Sequence, residues 1–274
     1  MPELPEVETV LRTLETQIKD RKIVDVKVLW NNIIIGDVDI FKNDCLNQHF
    51  REFQRVGKYL LFKMDSKMLI IHLRMEGKFY IMNKNDPIEK HIHVIFTLDD
   101  GRELRYHDTR KFGKMVIYEL DDQSQYPAIS KIGYDVFDER LDIAALYEKW
   151  HTRTLPVKQV LLDQSFMAGI GNIYADEICF SARLHPETKM NRCSRSDFDK
   201  ILLESRRILN GAIKSGGTTI RSYTSSLGVT GRFQLQLKVH QRAEKECLQC
   251  GTIIKKIKVA GRGTYLCPTC QRKK

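Results

Sequence analysis

Apolar residues recur at three- and four-residue spacing near the start of the chain. This spacing places them on one face of an α-helix, and it predicts an amphipathic helix from residue 6 to about residue 18. The apolar positions are Val7, Val10, Leu11, Leu14 and Ile18.

Short strand-like runs follow this helix at close intervals. Turn-forming residues separate several of them, as Asp99-Asp100-Gly101 does. Many short strands joined by turns are typical of an antiparallel sandwich or barrel, which we predict for residues 1–120. The runs are 23–30, 32–35, 50–56, 59–64, 68–73, 78–82, 93–98, 102–107 and 115–118.

The pattern changes to helical periods after residue 137. The stretch 121–137 carries Pro127 and Gly133 among polar residues, and we predict a linker there. Four helices are expected next, and the pair Gly216-Gly217 ends the last of them. A polar loop at 217–231 and two hairpin-like runs complete an α+β multidomain fold. The helices are expected at 141–150, 156–164, 172–182 and 196–215.

Positive charge is concentrated in the second half of the chain. The 274 residues hold 45 Lys and Arg against 35 Asp and Glu, a net charge of +10. Residues 1–150 hold 23 against 26, and residues 151–274 hold 22 against 9. A basic half of this kind suits a phosphate-rich partner, although a generally basic surface would give the same total.

Four of the seven cysteines form two C-x-x-C pairs near the end of the chain. Sixteen residues separate the pairs, a spacing typical of a four-thiolate zinc ribbon. Such a closed site holds one structural Zn²⁺, and a redox C-x-x-C would instead precede a helix. Basic residues, among them Lys256 and Arg262, lie between the pairs. The predicted ligands are Cys247, Cys250, Cys267 and Cys270.

Cellular location follows from the cysteines and the start of the chain. Cys45, Cys179 and Cys193 have no matching partners, so a disulfide framework is disfavoured and a reducing compartment is expected. The acidic, proline-broken start does not look like a signal peptide. No apolar run reaches the 18 residues of a membrane span. We therefore expect a cytoplasmic protein.

The first residues allow a reactive amine. If Met1 is removed, Pro2 carries a free secondary amine, which is partly unprotonated near neutral pH. Such an amine could form a Schiff base with a sugar aldehyde, and Glu3 could move a proton beside it. The same residues also suit an ordinary helix start, with proline and acids in the first turn.

Seven segments and the four cysteines together resemble the formamidopyrimidine-DNA glycosylase family, bacterial enzymes that remove oxidised purines from DNA. The resemblance covers essentially the whole chain. It implies an N-terminal helix with a β-sandwich, a helix–two-turn–helix domain at 138–231 and a zinc ribbon at 232–274, with DNA in the cleft between. The segments are 2–9 (PELPEVET), 55–60 (RVGKYL), 72–77 (HLRMEG), 108–113 (DTRKFG), 168–174 (AGIGNIY), 216–223 (GGTTIRSY) and 259–264 (VAGRGT).

The resemblance implies a bifunctional glycosylase and lyase that acts on duplex DNA containing oxidised purines, as a nucleoid-associated monomer. Pro2 would attack the sugar and Glu3 would act as its acid–base partner. Lys58 would donate a proton for β-elimination or bind a phosphate near the lesion. Arg262 matches the family's proton donor for δ-elimination, although a guanidinium is a poor acid and suits a phosphate clamp better.

The same resemblance implies the DNA contacts. A flipped base leaves a gap that inserted side chains must fill, and Met75, Arg110 and Phe112 match that role. Asn172 is expected to cap the helix after its glycine turn, where a phosphate would bind. Further expected DNA contacts are His72, His91, Arg153 and Lys256, with Lys158 a candidate by charge alone. The expected lesion-capping loop contains Thr218, Ile220, Arg221 and Tyr223.

Three local departures separate this chain from the family pattern. His240-Gln241-Arg242-Ala243-Glu244 stands where the family usually has a Tyr-Gly-Arg-x-Gly run, and His240 could take the tyrosine's place. His91-Ile92-His93 lacks the usual acid between the histidines, and Thr154 stands at a usually basic position. Two rival functions stay open: an endonuclease VIII-like enzyme for oxidised pyrimidines, and a catalytically silent DNA-binding module.

Overall fold

The computed structural model describes residues 1–120, 126–218 and 231–274. The chain divides into two compact units. The first comprises Met1–Lys131 with Gly216–Arg232, and the second comprises Ile132–Ser215 with Phe233–Lys274. By their contacts, residues 216–218 and 231–232 group with the first unit.

The first unit begins with helix α1 and contains two four-stranded antiparallel sheets. The first sheet has the order β1-β6-β7-β5 and the second has the order β2-β3-β4-β8. The bounds are α1 (Leu4–Ile18), β1 (Ile23–Val28), α2 (Val38–Cys45), β2 (Glu52–Val56), β3 (Tyr59–Lys63), β4 (Lys67–His72), β5 (Lys78–Asn83), β6 (Ile92–Leu98), β7 (Arg102–His107) and β8 (Lys114–Glu119).

One apolar core joins the two sheets and α1. The apolar face of α1, including Val10 and Leu14, is buried in it. Across the sheets, the rings of Phe62 and Phe79 lie 6.3 Å apart. The predicted sandwich is therefore confirmed, because both sheets bury their apolar faces against each other.

Two short segments of this unit differ from the prediction. Residues 32–35 were expected to form a strand, but Asn31–Ile33 is a 3₁₀ turn and α2 follows it. The side chain of Asp37 starts α2 by accepting hydrogen bonds from the backbone N–H groups of Asp39 (2.8 Å) and Ile40 (2.9 Å). A side-chain cap of this kind favours a helix, even one too short to show apolar periodicity.

The second unit contains four helices and one two-stranded sheet. The predicted helical domain and C-terminal ribbon are both observed, and the helix ends differ from prediction by up to two residues. No helix in the described ranges is long and apolar enough to cross a lipid bilayer. The elements are α3 (Ile143–His151), α4 (Val157–Leu162), α5 (Asn172–Ser181), α6 (Arg195–Lys214), β9 (Lys255–Val259) and β10 (Arg262–Leu266).

Candidate active site

Pro2 and Glu3, which follow the exposed Met1, are buried and fixed by a reciprocal helix cap. Pro2 is buried, and Glu3, the N-cap residue of α1, is 3% exposed. The Glu3 side chain accepts a hydrogen bond from the backbone of Glu6, and the Glu3 N–H donates to Glu6 Oε2 at 2.9 Å. This capping box begins the helix and at the same time fixes the position of Pro2.

The α-amino group of Met1 lies among four charged side chains. Burial lowers its pKa from the ordinary value of 8.0, and Lys58 and Arg110 add to this lowering, whereas Glu3 and Glu6 oppose it. The structure thus brings Lys58 and Arg110, distant in sequence, to the amino end of the chain.

Lys58 occupies the two-residue turn between β2 and β3. Val56 pairs with Tyr59 across the turn, and Gly57 adopts a φ of +56° that favours glycine. Arg55 supports the turn, because it donates to the Gly57 carbonyl at 3.0 Å and to the Glu8 carboxylate of α1 at 2.8 Å. Lys58 itself is 6% exposed, so a fixed turn holds its side chain inside the site.

Glu6 connects the amino end to the segment after α6, a role that the sequence analysis missed. Its Oε1 accepts from the Thr218 backbone N–H at 2.7 Å and from Thr218 Oγ1 at 3.0 Å. Gly217 has a φ of +80°, and a Cβ there would press on the Glu6 side chain. Thr218 is thus placed beside the amino end. Ile220, Arg221 and Tyr223 lie outside the described residues.

A carboxylate shapes the loop that carries Arg110 and Phe112. Asp108 is fully buried and accepts from the backbone N–H groups of Arg110 (3.0 Å), Phe112 (2.9 Å) and Gly113 (2.8 Å). The backbone is therefore held from inside, and the Arg110 and Phe112 side chains are exposed. The Arg110 guanidinium carbon lies 4.8 Å from the centre of the Phe112 ring.

The turn that carries Met75 and the loop that carries Arg110 and Phe112 both pack against Tyr106. A Cβ on either Gly77, two residues after Met75, or Gly113 would overlap the Tyr106 hydroxyl. Both loops therefore approach Tyr106 closely, which only glycine allows here. Met75 is half-buried, unlike the exposed Phe112.

Two histidines expected to bind DNA lie on this unit. The Nδ1 of His72 accepts from the Arg74 backbone N–H at 2.9 Å, so the ring proton of the neutral imidazole is on Nε2. Burial, helped by Arg74 and Lys58, lowers the pKa of His72 to about 3. His91 adopts a φ of +73°, and its carbonyl accepts from the Asp108 backbone N–H at 3.0 Å.

A buried ion pair in the second unit joins α4, α5 and the ribbon. Lys158 and Asp176 are fully buried, with Lys158 Nζ 2.7 Å from Asp176 Oδ1. The same ammonium donates to Thr264 Oγ1 at 2.8 Å and to the Gly263 carbonyl at 3.1 Å. Lys158 was a candidate DNA contact by charge, but its ammonium is occupied inside the protein.

Asn172 is the first residue of α5, and Gly171 is its N-cap. The expected capping role of Asn172 is therefore wrong, because its side chain is used elsewhere. Its Nδ2 donates to the Gly263 carbonyl at 3.0 Å. Asn172 and the ribbon residue that follows Arg262 are thus in direct contact.

His240 occupies the position at which the sequence departs from the family pattern. Its Nδ1 lies 2.7 Å from Asp176 Oδ2, and the residue is 6% exposed. Glu177 fixes the backbone that leads to it, because its carboxylate accepts from the N–H groups of Lys238, Val239 and His240 at 2.8–2.9 Å. Gln241 and Glu244, which stand where the family pattern has glycine, keep positive φ values of 57° and 64°, so the turns remain and buried carboxylates hold the segment that leads to them.

The remaining predicted cations of the second unit are exposed. Arg262 follows a two-residue turn in which Ala260 and Gly261 both have positive φ, 48° and 76°. Lys256 lies on the paired strand β9, with Nζ 5.7 Å from the Tyr265 ring. Arg153 lies 4.7 Å from the Phe166 ring. All three side chains are on the surface, where phosphates could reach them.

The four C-terminal cysteines form a cluster that fits a tetrahedral metal. Their sulfur atoms all lie within 4.8 Å of one another. Cys247 Sγ and Cys270 Sγ are 3.9 Å apart, and Cys250 Sγ and Cys267 Sγ are 3.4 Å apart. Zn–S bonds of about 2.3 Å in a tetrahedron place sulfurs about 3.8 Å apart. The four thiolates therefore fit one structural Zn²⁺, with no position left for a substrate.

Family models match three successive parts of the chain. They describe the formamidopyrimidine-DNA glycosylase N-terminal domain (residues 1–115), the formamidopyrimidine-DNA glycosylase H2TH domain (132–224) and the zinc finger found in FPG and IleRS (244–272). The order is that of the sandwich, the helices and the four-cysteine cluster described above.

Similar proteins match over nearly the whole length. The formamidopyrimidine-DNA glycosylases of Oceanobacillus iheyensis and Bacillus subtilis are 44% and 42% identical over 276 residues, covering 100% of this chain and 99% and 100% of theirs.

Solved structures of Lactococcus lactis Fpg bound to DNA match as well. One holds a point mutant with Fapy-dG DNA (39% identity, TM-score 0.94), and another holds the wild type with oxidised-pyrimidine DNA (38%, TM-score 0.92). Each match covers 99% of this chain and 100% of the solved chain. Sequence, fold and four-cysteine cluster together define a DNA glycosylase of base-excision repair. The chain belongs to the formamidopyrimidine-DNA glycosylase family.

We predict that His72→Gln makes the free energy of unfolding less dependent on pH below pH 6.5. His72 has a pKa of about 3 in the folded chain and an ordinary value of 6.5 when unfolded. Between these values the unfolded chain binds more protons, so this contribution is complete above pH 6.5 and is lost as the pH falls. We expect denaturant titrations at several pH values to give a change in the free energy of unfolding per pH unit that is smaller in the variant by up to about 1.4 kcal/mol. The exposed His151→Gln should keep the wild-type slope, and an unchanged slope in His72→Gln would contradict this account.

Lys158→Ala should destabilise the second unit by about 3–5 kcal/mol, because it leaves Asp176 buried without its cation. The double variant Lys158→Met/Asp176→Leu should lose less than Lys158→Met or Asp176→Leu alone, because it removes both partners of the ion pair, although it leaves His240 without its contact. Chemical denaturation measures both. Lys273→Ala, which breaks an exposed pair with Glu187, serves as the control and should change stability by less than about 1 kcal/mol. A double variant less stable than both single variants would refute the ion-pair explanation.

Removal of Zn²⁺ should weaken DNA binding more than it disturbs the first unit. The cluster fixes the hairpin that carries Lys256 and Arg262, and a zinc ribbon loses its fold without metal. We expect a chelator to weaken binding to duplex DNA by about tenfold or more, with the unfolding transition of the first unit unchanged. Added Zn²⁺ should restore binding. Equal loss of binding and of the first unit would show that the ribbon is not a separate module.

Proposed function

We propose that the chain excises oxidised purines from duplex DNA through the amine of Pro2 and then cleaves the strand by β,δ-elimination. The observation that carries this proposal is the set of side chains around the amino end. Glu3, Glu6, Lys58 and Arg110 all lie near enough to the Met1 amine, next to Pro2, to shift its pKa. For Pro2 to react, Met1 must be removed, because an amide nitrogen is not a nucleophile.

The first step transfers the sugar from the base to the enzyme. The Pro2 nitrogen bonds to C1′, the bond from C1′ to the base breaks, and the base leaves with a proton. The C1′–O4′ bond then breaks and O4′ takes a proton, which opens the sugar ring and leaves the nitrogen and C1′ sharing the positive charge of an iminium. Glu3 is placed to move the proton at the sugar, and its negative charge stabilises the cation.

The elimination steps use the acidity that the iminium creates. Loss of a C2′ proton expels the 3′ phosphate, and a second elimination expels the 5′ phosphate. Lys58, held in its turn at the amino end, is the proton donor or phosphate contact for the first elimination. Arg262 positions the second leaving phosphate, because a guanidinium keeps its proton.

Base recognition and duplex distortion are assigned to the first unit. Met75, Arg110 and Phe112 fill the gap left by the flipped nucleotide, and the exposed Phe112 acts as the wedge. The segment from Thr218 through Ile220, Arg221 and Tyr223 closes over the base. Its main-chain groups distinguish oxidised purines, whose N7 donates a hydrogen bond, from guanine, whose N7 accepts one.

Phosphate contacts are assigned to both units. In the first unit, His72 offers a neutral Nε2–H donor, and His91 lies beside the Asp108 loop. In the second, Arg153 and Lys256 offer exposed cations, and Asn172 offers the N-terminus of α5. A four-thiolate zinc cluster suits a reducing cytoplasm, where the enzyme would meet the nucleoid.

One observation favours a wider substrate range. A Lactococcus lactis relative 38% identical to this chain was crystallised with oxidised-pyrimidine DNA. We therefore keep excision of oxidised pyrimidines, the activity of an endonuclease VIII-like enzyme, as a second candidate to be tested in parallel.

Borohydride trapping tests the proposed chemistry. The mature chain should form a covalent adduct with duplex DNA that carries 8-oxoguanine opposite cytosine, because borohydride reduces the iminium to a stable amine. A chain with one non-removable residue added before Pro2 should bind the same duplex but form no adduct. An adduct from the extended chain would refute the Pro2 assignment.

Two further duplex substrates separate the candidate activities. A duplex with an oxidised pyrimidine measures the second candidate, and one with an abasic site measures the lyase step alone. Binding of the mature chain to all three duplexes without any adduct would establish the silent DNA-binding module.

A further inference from the structure

The loop that carries Arg110 and Phe112 contains a strained residue. Lys111 lies between them with a φ of +59°, in the left-handed region that side chains other than glycine rarely adopt. Its backbone N–H donates to the Asp108 carbonyl at 3.2 Å. Strain of this kind persists only where the surroundings fix the conformation.

The side chain of Lys111 lies over an aromatic ring. Its Nζ is 3.8 Å from the centre of the Trp30 ring, within the range of a cation–π interaction. Trp30 follows β1 and precedes the 3₁₀ turn Asn31–Ile33.

Strand β8 anchors the segment that directly follows Trp30. Ile34 bridges to Met115, and the Ile35 N–H donates to the Met115 carbonyl at 2.8 Å. The Lys114 ammonium donates to the Asn32 carbonyl. Because β8 begins directly after the loop, the segment with Trp30 and the loop with Lys111 share one anchor.

Packing does not account for Trp30. Its side chain is 36% exposed, and its neighbour Leu29 is 51% exposed. Its ring nevertheless binds the ammonium of Lys111, the residue between Arg110 and Phe112, which are the two side chains proposed to contact DNA. Arg110 lies over Phe112 in the same loop, so a contact that fixes Lys111 also fixes the backbone that carries both side chains.

We propose that Trp30 is a positioning residue for the wedge. By binding the Lys111 ammonium, it fixes the residue that stands between Arg110 and Phe112 and so holds these two side chains ready for insertion into duplex DNA. This inference rests on the proposed function, because it concerns the same base-flipping step.

The test compares a step that needs the wedge with one that does not. Excision of 8-oxoguanine from an intact duplex requires insertion, whereas cleavage at an abasic site in single-stranded DNA requires only the Pro2 chemistry. Under single-turnover conditions, Trp30→Leu and Lys111→Met should each slow duplex excision about two- to fivefold, the range for an exposed cation–π contact. Cleavage of the single-stranded abasic site should stay at the wild-type rate.

Three controls separate this role from a loss of structure. Trp30→Phe keeps a ring and should recover most of the excision rate. Trp30→Leu/Lys111→Met should be no slower than either single variant, because both remove one contact. Ile40→Ala changes an apolar residue on α2 that is 61% exposed, and it should have no effect.

Particular outcomes would overturn the proposal. Equal slowing of both substrates, additive effects in the double variant, or a full excision rate in Trp30→Leu would each show that Trp30 does not position the wedge. Failure of the proposed function is distinguishable, because the wild-type chain would then form no borohydride adduct with any substrate.

Discussion

The arrangement of the candidate active site depends on the carboxylate of Glu6. One oxygen accepts from the Glu3 N–H and the other from the Thr218 N–H and hydroxyl. An ionised acceptor with several donors holds its partners strongly in a buried site. One side chain thus sets both the amino end of α1 and the start of a segment more than two hundred residues later.

A buried carboxylate with several hydrogen-bond partners also occurs at two other places. Asp108 holds the loop that carries Arg110 and Phe112 by three backbone N–H groups, and Asp176 holds Lys158 and His240 next to the ribbon. In each case the carboxylate is buried and satisfied, and the side chain assigned to DNA is exposed nearby. Burying a charge is costly unless it is fully paired, so these carboxylates tie the backbone to one arrangement and leave Phe112 and Arg262 exposed to contact a ligand.

The sequence pattern predicted those features that depend on residues close together in the chain. The spacing of apolar residues predicted α1 and the later helices, and the cysteine spacing predicted the cluster, because neighbours in sequence decide both. The contacts of Glu6 with Thr218 and of Lys158 with Thr264 join residues far apart in sequence, and no spacing rule contains them. Asp37 and Glu6 did carry a usable signal, since each stands at a helix start where a side chain caps the backbone. Trp30 carried none, because its role depends on a loop about eighty residues away.

The amine at the amino end faces two opposite electrostatic demands. On the proposed mechanism the Pro2 amine must lose its proton before attack. At the neighbouring Met1 amine, burial together with Lys58 and Arg110 favours the neutral form, and we expect the same for Pro2 once Met1 is removed. After attack the same nitrogen becomes part of a cation, which burial would disfavour. Glu3 and Glu6 oppose the lowering of the pKa, so they cost some nucleophile but stabilise the iminium that follows. If both acids were absent, the amine would be freer to attack and its product less stable. On the proposed mechanism, the site accepts a weaker nucleophile because the intermediate must last through two eliminations.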